Sequence, residues 1–257
     1  MNKIFSIARY TLKESIRNKI FYVLILFGMI IVGSSLLFGA LGGEQVLRMI
    51  VDLGLSSIEI LALLTAVYTS VTLILDEMET KTIYLIISRP IKRYQYLLGR
   101  YLGVISAVGI SMLIMAGGHL LLLLLKGWHF EIAYLFSLIL IFEKILIVSA
   151  LSLFFSLFST SVVSSISFTF FFWILGHFLQ EMKFLFMKLS QSLPISLKAV
   201  YWFLYYLIPN FQYFNLRDQL GGQNYNLEVL FWSFVYGITY SAACLVLAGL
   251  LFSRKEF

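Results

Sequence analysis

The sequence predicts an all-α membrane protein: six transmembrane helices, an N-terminal amphipathic helix, a helix-bearing loop between spans two and three, and short outer-leaflet helices between spans five and six. Three observations predict it. Of the 257 residues, 60% are hydrophobic and only 12% are charged, with a mean hydropathy of +0.92, whereas a globular chain carries roughly a quarter charged residues. Six apolar runs lie near or above the ~20 residues needed to cross about 30 Å of hydrocarbon. Lys and Arg crowd onto alternate loops. The runs lack the two-residue alternation of a membrane barrel, so helices must satisfy their backbones.

Over residues 2–19, Ile4, Ala8, Leu12 and Ile16 recur at spacing four beside a stripe of Arg9, Lys13 and Arg17. This is the pattern of a helix lying in the interface with its basic stems reaching lipid phosphates. Spans are expected at 20–38, 56–75, 97–125, 132–158, 162–179 and 229–252. No small-residue cleavage site follows the first run, which reads as retained. With the start of the chain inside, cytoplasmic segments hold Lys3, Arg9, Lys13, Arg17, Lys19, Lys81, Arg89, Lys92, Arg93, Arg100, Arg254 and Lys255, which is 12. The outer segments hold Arg48, Lys126, Lys183, Lys188, Lys198 and Arg217, which is 6, and Lys144 falls within a span. That bias predicts both termini in the cytoplasm. Within 180–228, Pro194 and Pro209 bracket an apolar stretch too short to span. It reads as one or two short re-entrant or interfacial helices anchored by Tyr201, Trp202, Tyr205 and Tyr206. The whole chain, 1–257, is expected to form one membrane domain with no soluble domain of its own.

Composition also excludes. The single cysteine, Cys244, rules out an intrachain disulfide and a thiolate metal cluster. The net charge of +6 sits beside spans, where it meets anionic lipid rather than nucleic acid. H-E-x-x-H, G-x-S-x-G and paired intramembrane Asp do not occur, and Ser111 with His119 lacks an orienting acid, so no catalytic residue and no metal ligand is expected. Ionisable residues inside spans are expensive and are functional candidates. Glu143 and Lys144 fall near mid-membrane, about 100° apart on a helix, so partners are expected on other helices or a dimer mate. Glu59, His119 and His177, with Gln180 and Glu181, map toward outer span ends and are candidates for a common vestibule. Gly99-x-x-x-Gly103 reads as a packing pair.

The loop 76–96 reads DEMETKTIYLIISRPIKRYQY. Asp76, Glu77 and Glu79 sit just past span two, then comes a short helix with Ile83, Ile86 and Ile87. Arg89-Pro90 restarts the chain into span three, Pro90 suiting a first helical turn. Lys92, Arg93 and Arg100 are expected to meet the headgroups. A loop this short cannot fold into a catalytic domain, but a docking helix held between two spans transmits force.

Here the residues acquire a likeness. Glu79-Thr80-Lys81-Thr82, then Ser88-Arg89-Pro90-Ile91-Lys92-Arg93 and Leu97-Leu98-Gly99-Arg100-Tyr101-Leu102-Gly103, resemble the cytoplasmic signature of ABC-2-type ABC transporter permeases. Ala8-Arg9-Tyr10, Lys13-Glu14 and Arg17-Asn18-Lys19 resemble that family's elbow helix, and Leu157-Phe158-Ser159-Thr160-Ser161 its turn between spans four and five. Gly176-His177, Pro209-Asn210-Phe211 and Phe252-Ser253-Arg254-Lys255-Glu256-Phe257 resemble the small six-span members, which include the permease of nitrous-oxide-reductase maturation. Lys144 departs from the family pattern. The resemblance implies a permease that dimerises with a second copy or a homologous sibling and docks two cytoplasmic ABC ATPase subunits. The docking residues would be Asp76, Glu77, Glu79, Thr80, Lys81, Thr82, Ser88, Arg89, Pro90 and Arg93, with elbow helix 1–19 beside coupling loop 76–96. The chain would hold no cofactor, since it lacks G-x-x-x-x-G-K-[ST] and ATP-Mg would be bound by the partner. The implied setting is a prokaryotic plasma membrane, which is the inner membrane if the cell is Gram-negative, and the implied task is export. The 24 Phe and 15 Tyr suit apolar or amphiphilic cargo and suit lipid-facing surface equally. A membrane-embedded enzyme and a non-transporting scaffold are the alternatives.

Overall fold

The computed structural model describes residues 3–39, 46–82, 91–189, 194–215 and 227–254. Among these the chain is helical: α1 (Lys3–Arg17), α2 (Lys19–Gly39), α3 (Val46–Glu79), α4 (Arg93–Leu125), α5 (Ile132–Phe158), α6 (Val162–His177), α7 (Leu179–Leu189), α8 (Ile195–Leu207), a 3-10 turn (Phe211–Phe214) and α9 (Leu227–Arg254). Five of these are long and apolar enough to cross a membrane, or six if α6 and α7 form one broken span bent by 55°.

Local chemistry sets the breaks. Asn18 separates α1 from α2 and its side chain accepts from the Ile20 N–H at 3.0 Å, capping α2. α4 closes with Gly127 at φ 76°, where Trp128 N–H reaches the Leu123 carbonyl and Gly127 N–H the Leu124 carbonyl. That is a Schellman stop, which needs a left-handed residue and takes glycine for it. Between α5 and α6, Ser165 Oγ donates to the Phe155 carbonyl at 3.2 Å and ties the two helices at a tight serine-rich turn. Pro194 and Pro209 fall just before and just after α8, as their missing N–H groups require.

Two expectations need correction. Span two does not begin at residue 56: α3 starts ten residues earlier and runs 34 residues. Arg48 and Asp52 depress the hydropathy of that first stretch, but helix and packing continue through it, with Ile50, Val51 and Leu55 buried. Span five does not continue unbroken to 179, because α6 ends at His177 and the chain bends before α7. The region 180–228 holds the helices α7 and α8; residues 190–193 and 216–226 lie outside the described residues.

α3 and α5 are the central staves, with 78% and 72% of their apolar windows inside the protein, against 22% for α2 and α9. α3 packs on α2, α4, α5 and α6, while α5 packs on α3, α6 and α9. The peripheral helices keep apolar groups such as Phe27, Leu113 and Val163 exposed. A contiguous apolar belt of this kind is stable only with lipid as its solvent. The protein is a multi-pass membrane protein.

Candidate functional site

Two charged clusters are built into the bundle, and α3 carries an acid to each. The first lies where α3 ends and α4 begins. Gly99 and Gly103, one turn apart on α4, leave a trough for α1: a Cβ on Gly99 would lie 2.6 Å from Ile7 Cβ, and one on Gly103 would overlap Thr11. These glycines are a packing pair, and their partner is α1. Seating α1 this closely brings Thr11 and Glu14 onto Arg100, which is 1% exposed. Arg100 donates to Glu14 Oε2 at 2.6 Å and to Thr11 Oγ1 at 3.0 Å, and pairs with Glu77 Oε1 through its other terminal nitrogen. Tyr96 donates its hydroxyl to Glu77 Oε2, and the rings of Tyr10 and Tyr96 lie 5.6 and 5.7 Å from the guanidinium. One planar cation thus ties α1, α3 and α4 together.

Arg93 adds a fourth helix. It donates to the carbonyls of Phe252 and Ser253 at 2.6 and 2.8 Å, placing a cation on the last turn of α9 where the helix dipole favours one. Tyr96 stacks on Phe252 with ring centroids 5.6 Å apart. Arg100, expected among the headgroups, is instead buried, because two carboxylates from other helices compensate its charge.

Of the predicted docking residues, Asp76, Glu79, Thr80, Lys81 and Thr82 are exposed, whereas Glu77 is buried in the Arg100 cluster. Glu77 therefore faces inward and positions α3 against α4. Thr80 Oγ1 donates to the Asp76 carbonyl at 2.6 Å, and Lys81 follows at φ 57°, a left-handed conformation uncommon for a non-glycine residue. Ser88, Arg89 and Pro90 lie outside the described residues. A cavity of about 680 Å3 opens between α1 and this end of α3, with Tyr10, Glu14, Asp76, Thr80, Tyr96 and Arg100 among its walls.

The second cluster lies within the spans. Lys144 Nζ is 2.8 Å from Glu59 Oε1, and both residues are 5% exposed. Lys144 thus finds its partner on another helix, not in its neighbour Glu143. His177 Nε2 approaches the same Glu59 oxygen at 3.8 Å. Its carbonyl accepts from Gln212 Nε2 at 2.7 Å, and a Cβ on Gly176 would overlap the Pro209 carbonyl. The stretches 176–177 and 209–211 therefore meet in space. Glu143 is buried beside Gly237 of α9, with Oε2 unbonded. His119 belongs to a different contact set. Its Nε2 faces the Ile50 carbonyl at 3.3 Å and its Nδ1 the Tyr134 hydroxyl at 3.0 Å, and its ring fills the space a Cβ on Gly54 would take. The carbonyl can only accept, so Nε2 carries the hydrogen and the ring acts as packing glue for α3, α4 and α5.

The predicted residues thus divide into an inward lock (Glu77, Arg93), an exposed loop flank, a membrane ion pair with His177, and a packing histidine. Sequence reasoning gave no site role to Thr11, Glu14 and Tyr96, and it placed Arg100 among the headgroups rather than in this cluster. The available signal was the pair of small residues around Arg100 facing the polar Thr11 and Ser15 of an otherwise amphipathic helix. Among the described residues no three His, Cys, Asp or Glu side chains gather to hold a metal.

Compared with curated proteins, the chain gives no match. The family described as "ABC-2 family transporter protein" matches residues 50–250, which span α3 from its second turn to most of α9 and contain Glu59, Glu77, Arg100, Lys144 and His177. The chain belongs to the ABC-2 transporter family, and it is a multi-pass permease component of an ABC transporter.

Proposed function

We propose that this permease forms half of an ATP-driven exporter of apolar or amphiphilic cargo, moved by a separate ATPase subunit that docks on the loop joining α3 and α4. Family members normally work with an ABC ATPase subunit. The observation that carries the reading is the Arg100 cluster. It welds α1, α3 and α4 at the very end where 76–96 leaves the bundle, so a push on that loop moves three helices together. In this reading residues 1–19 are the elbow helix, 76–96 the coupling loop and 180–228 an outer-leaflet element. Both termini are cytoplasmic, two ATPase copies bind ATP-Mg, and a second permease copy or sibling completes the dimer in a prokaryotic plasma membrane. Asp76, Glu79, Thr80, Lys81, Thr82, Ser88, Arg89 and Pro90 offer the contact, while Glu77 and Arg93 hold its base.

The test is purification of the chain with its bound subunits and reconstitution with the P-loop ATPase so identified. Glu79→Ala and Arg89→Ala are expected to weaken subunit association by about 2 kcal/mol, some thirtyfold, and to abolish stimulation of ATP hydrolysis by the membrane subunit. Unchanged association and stimulation in both variants would overturn the docking assignment.

A further inference from the structure

The cavity between α1 and the loop end of α3 has walls of one consistent chemistry. Each helix lines it with a single face: Lys3, Ile7, Tyr10 and Glu14 recur at helical spacing on α1, and Leu73, Asp76, Glu77 and Thr80 do so on α3. On α3 that face turns from apolar to acidic within one turn. At about 680 Å3 the cavity falls in the range of sites that enclose a small molecule, roughly 300–1,000 Å3. Its charges do not balance. Arg100 spends its terminal nitrogens on Glu14, Glu77 and Thr11, and Lys3 is engaged as well. Among the described residues Asp76 has no ion pair, and the charges acting on it are the carboxylates of Glu79 and Glu14. Along the lining, the acids Glu14, Asp76 and Glu77 outnumber the cations Lys3 and Arg100. Neighbouring carboxylates repel each other, and a cation placed beside them removes that cost.

We propose that this cavity binds a single-tailed cationic amphiphile, an alkylammonium whose nitrogen sits by Asp76 and Glu14 and whose chain lies along Ile7 and Leu73. The walls select that chemistry against the alternatives. A bare metal ion would leave the apolar side chains unused, and an uncharged chain would leave the carboxylates unused. An anion would meet cations already committed and a surplus of negative charge. Tyr10, 61% exposed, adds an aromatic wall that attracts a cation at its ring face and packs well against an alkyl chain. The cavity adjoins an amphipathic helix at the end of the bundle, so an amphiphile dissolved in the neighbouring leaflet arrives with its headgroup at the right depth. Its walls come from α1, α3 and the start of α4. An occupant therefore ties α1 to α3 by contacts separate from those of Arg100. Binding there requires neither transport nor an ATPase.

The experiment is photo-crosslinking of the full chain in phosphatidylcholine liposomes, without an ATPase, so its outcome is separate from that of the docking assignment. The probe is a dodecyltrimethylammonium carrying a diazirine in its chain, and labelled peptides are identified by mass spectrometry. Saturable labelling is expected on peptides from α1 and from the end of α3. Unlabelled dodecyltrimethylammonium should compete for it, and dodecyl sulfate should not. Asp76→Asn, at an exposed position, should raise the half-saturating concentration about fivefold, whereas Asp76→Glu should keep it near the wild-type value. Ser6→Trp, also at an exposed position of the lining, fills the cavity without changing its charge and should abolish the labelling. Labelling that never saturates, that dodecyl sulfate competes away equally, or that is the same in the wild type, D76N and S6W would reflect partition into the bilayer alone and would overturn the proposal.

Discussion

Arg100 concentrates the energetics of the loop end. An arginine that is 1% exposed loses its hydration, at an effective cost of several kcal/mol that only well-placed partners offset. Its guanidinium reaches carboxylates on two different helices because the planar group presents several donors at fixed angles. Arg100→Ala would strand the buried Glu77, and we expect a loss of about 3–5 kcal/mol, seen as a lower midpoint of thermal unfolding in detergent. Arg100→Met combined with Glu77→Met should recover part of that loss, since no unpaired charge remains between them. Arg100→Lys should fall short of the wild type, because a point charge cannot serve both acids in the same geometry. Gly54→Ala should cost about 1–3 kcal/mol by pressing on the buried His119 ring, and His119→Ala in the same chain should relieve it. None of these pairings was local enough to read from sequence. Glu14 lies 86 positions from Arg100, and Glu59 lies 85 from Lys144. Sequence showed that Lys144 needed a partner on another helix; only the fold supplied which one.

At the scale of elements, α1 is the informative case. Its amphipathic spacing was legible, yet Ile4, Ala8, Leu12 and Ile16 are only half-buried, and the buried positions are Thr11 and Ser15. The helix docks on α4 rather than lying wholly against lipid, and the polar pair suits a seam that contains an arginine. Replacing Gly99 and Gly103 with leucine should lift α1 from its trough and cut the Glu14 contact. The check is faster trypsin cleavage at Arg9 and Lys13 in proteoliposomes, with α4 still inserted. The length of α3 was misjudged for a related reason: hydropathy sees Arg48 and Asp52 as an end, whereas helix packing tolerates a polar group that keeps a partner, and Asp52 keeps one. Read from sequence, span five ends at residue 179, two residues past the end of α6, where Gln180 and Glu181 open α7.

For the whole molecule, hydropathy carried most of the information. Apolar runs long enough to span a bilayer leave few alternatives, and every long helix found corresponds to one of them. Orientation rests on the charge bias and is directly measurable. In a Cys244→Ser background, Lys92→Cys should react with an impermeant maleimide only in inside-out vesicles, and Gly127→Cys only in right-side-out ones. The reverse pattern would place the loop 76–96 on the outer face and remove the docking reading with it.

α3 is bolted at two heights, by Glu59 and by Glu77, which are 18 positions or about 27 Å apart along a straight helix. A stiff shaft gripped twice cannot swing about one fastening without shearing the other. A tilt of about 5° displaces one end by roughly 2 Å relative to the other over that length, more than a direct ion pair survives. Tilting the shaft about either fastening therefore requires the other to open, so each one latches the motion that the other would permit.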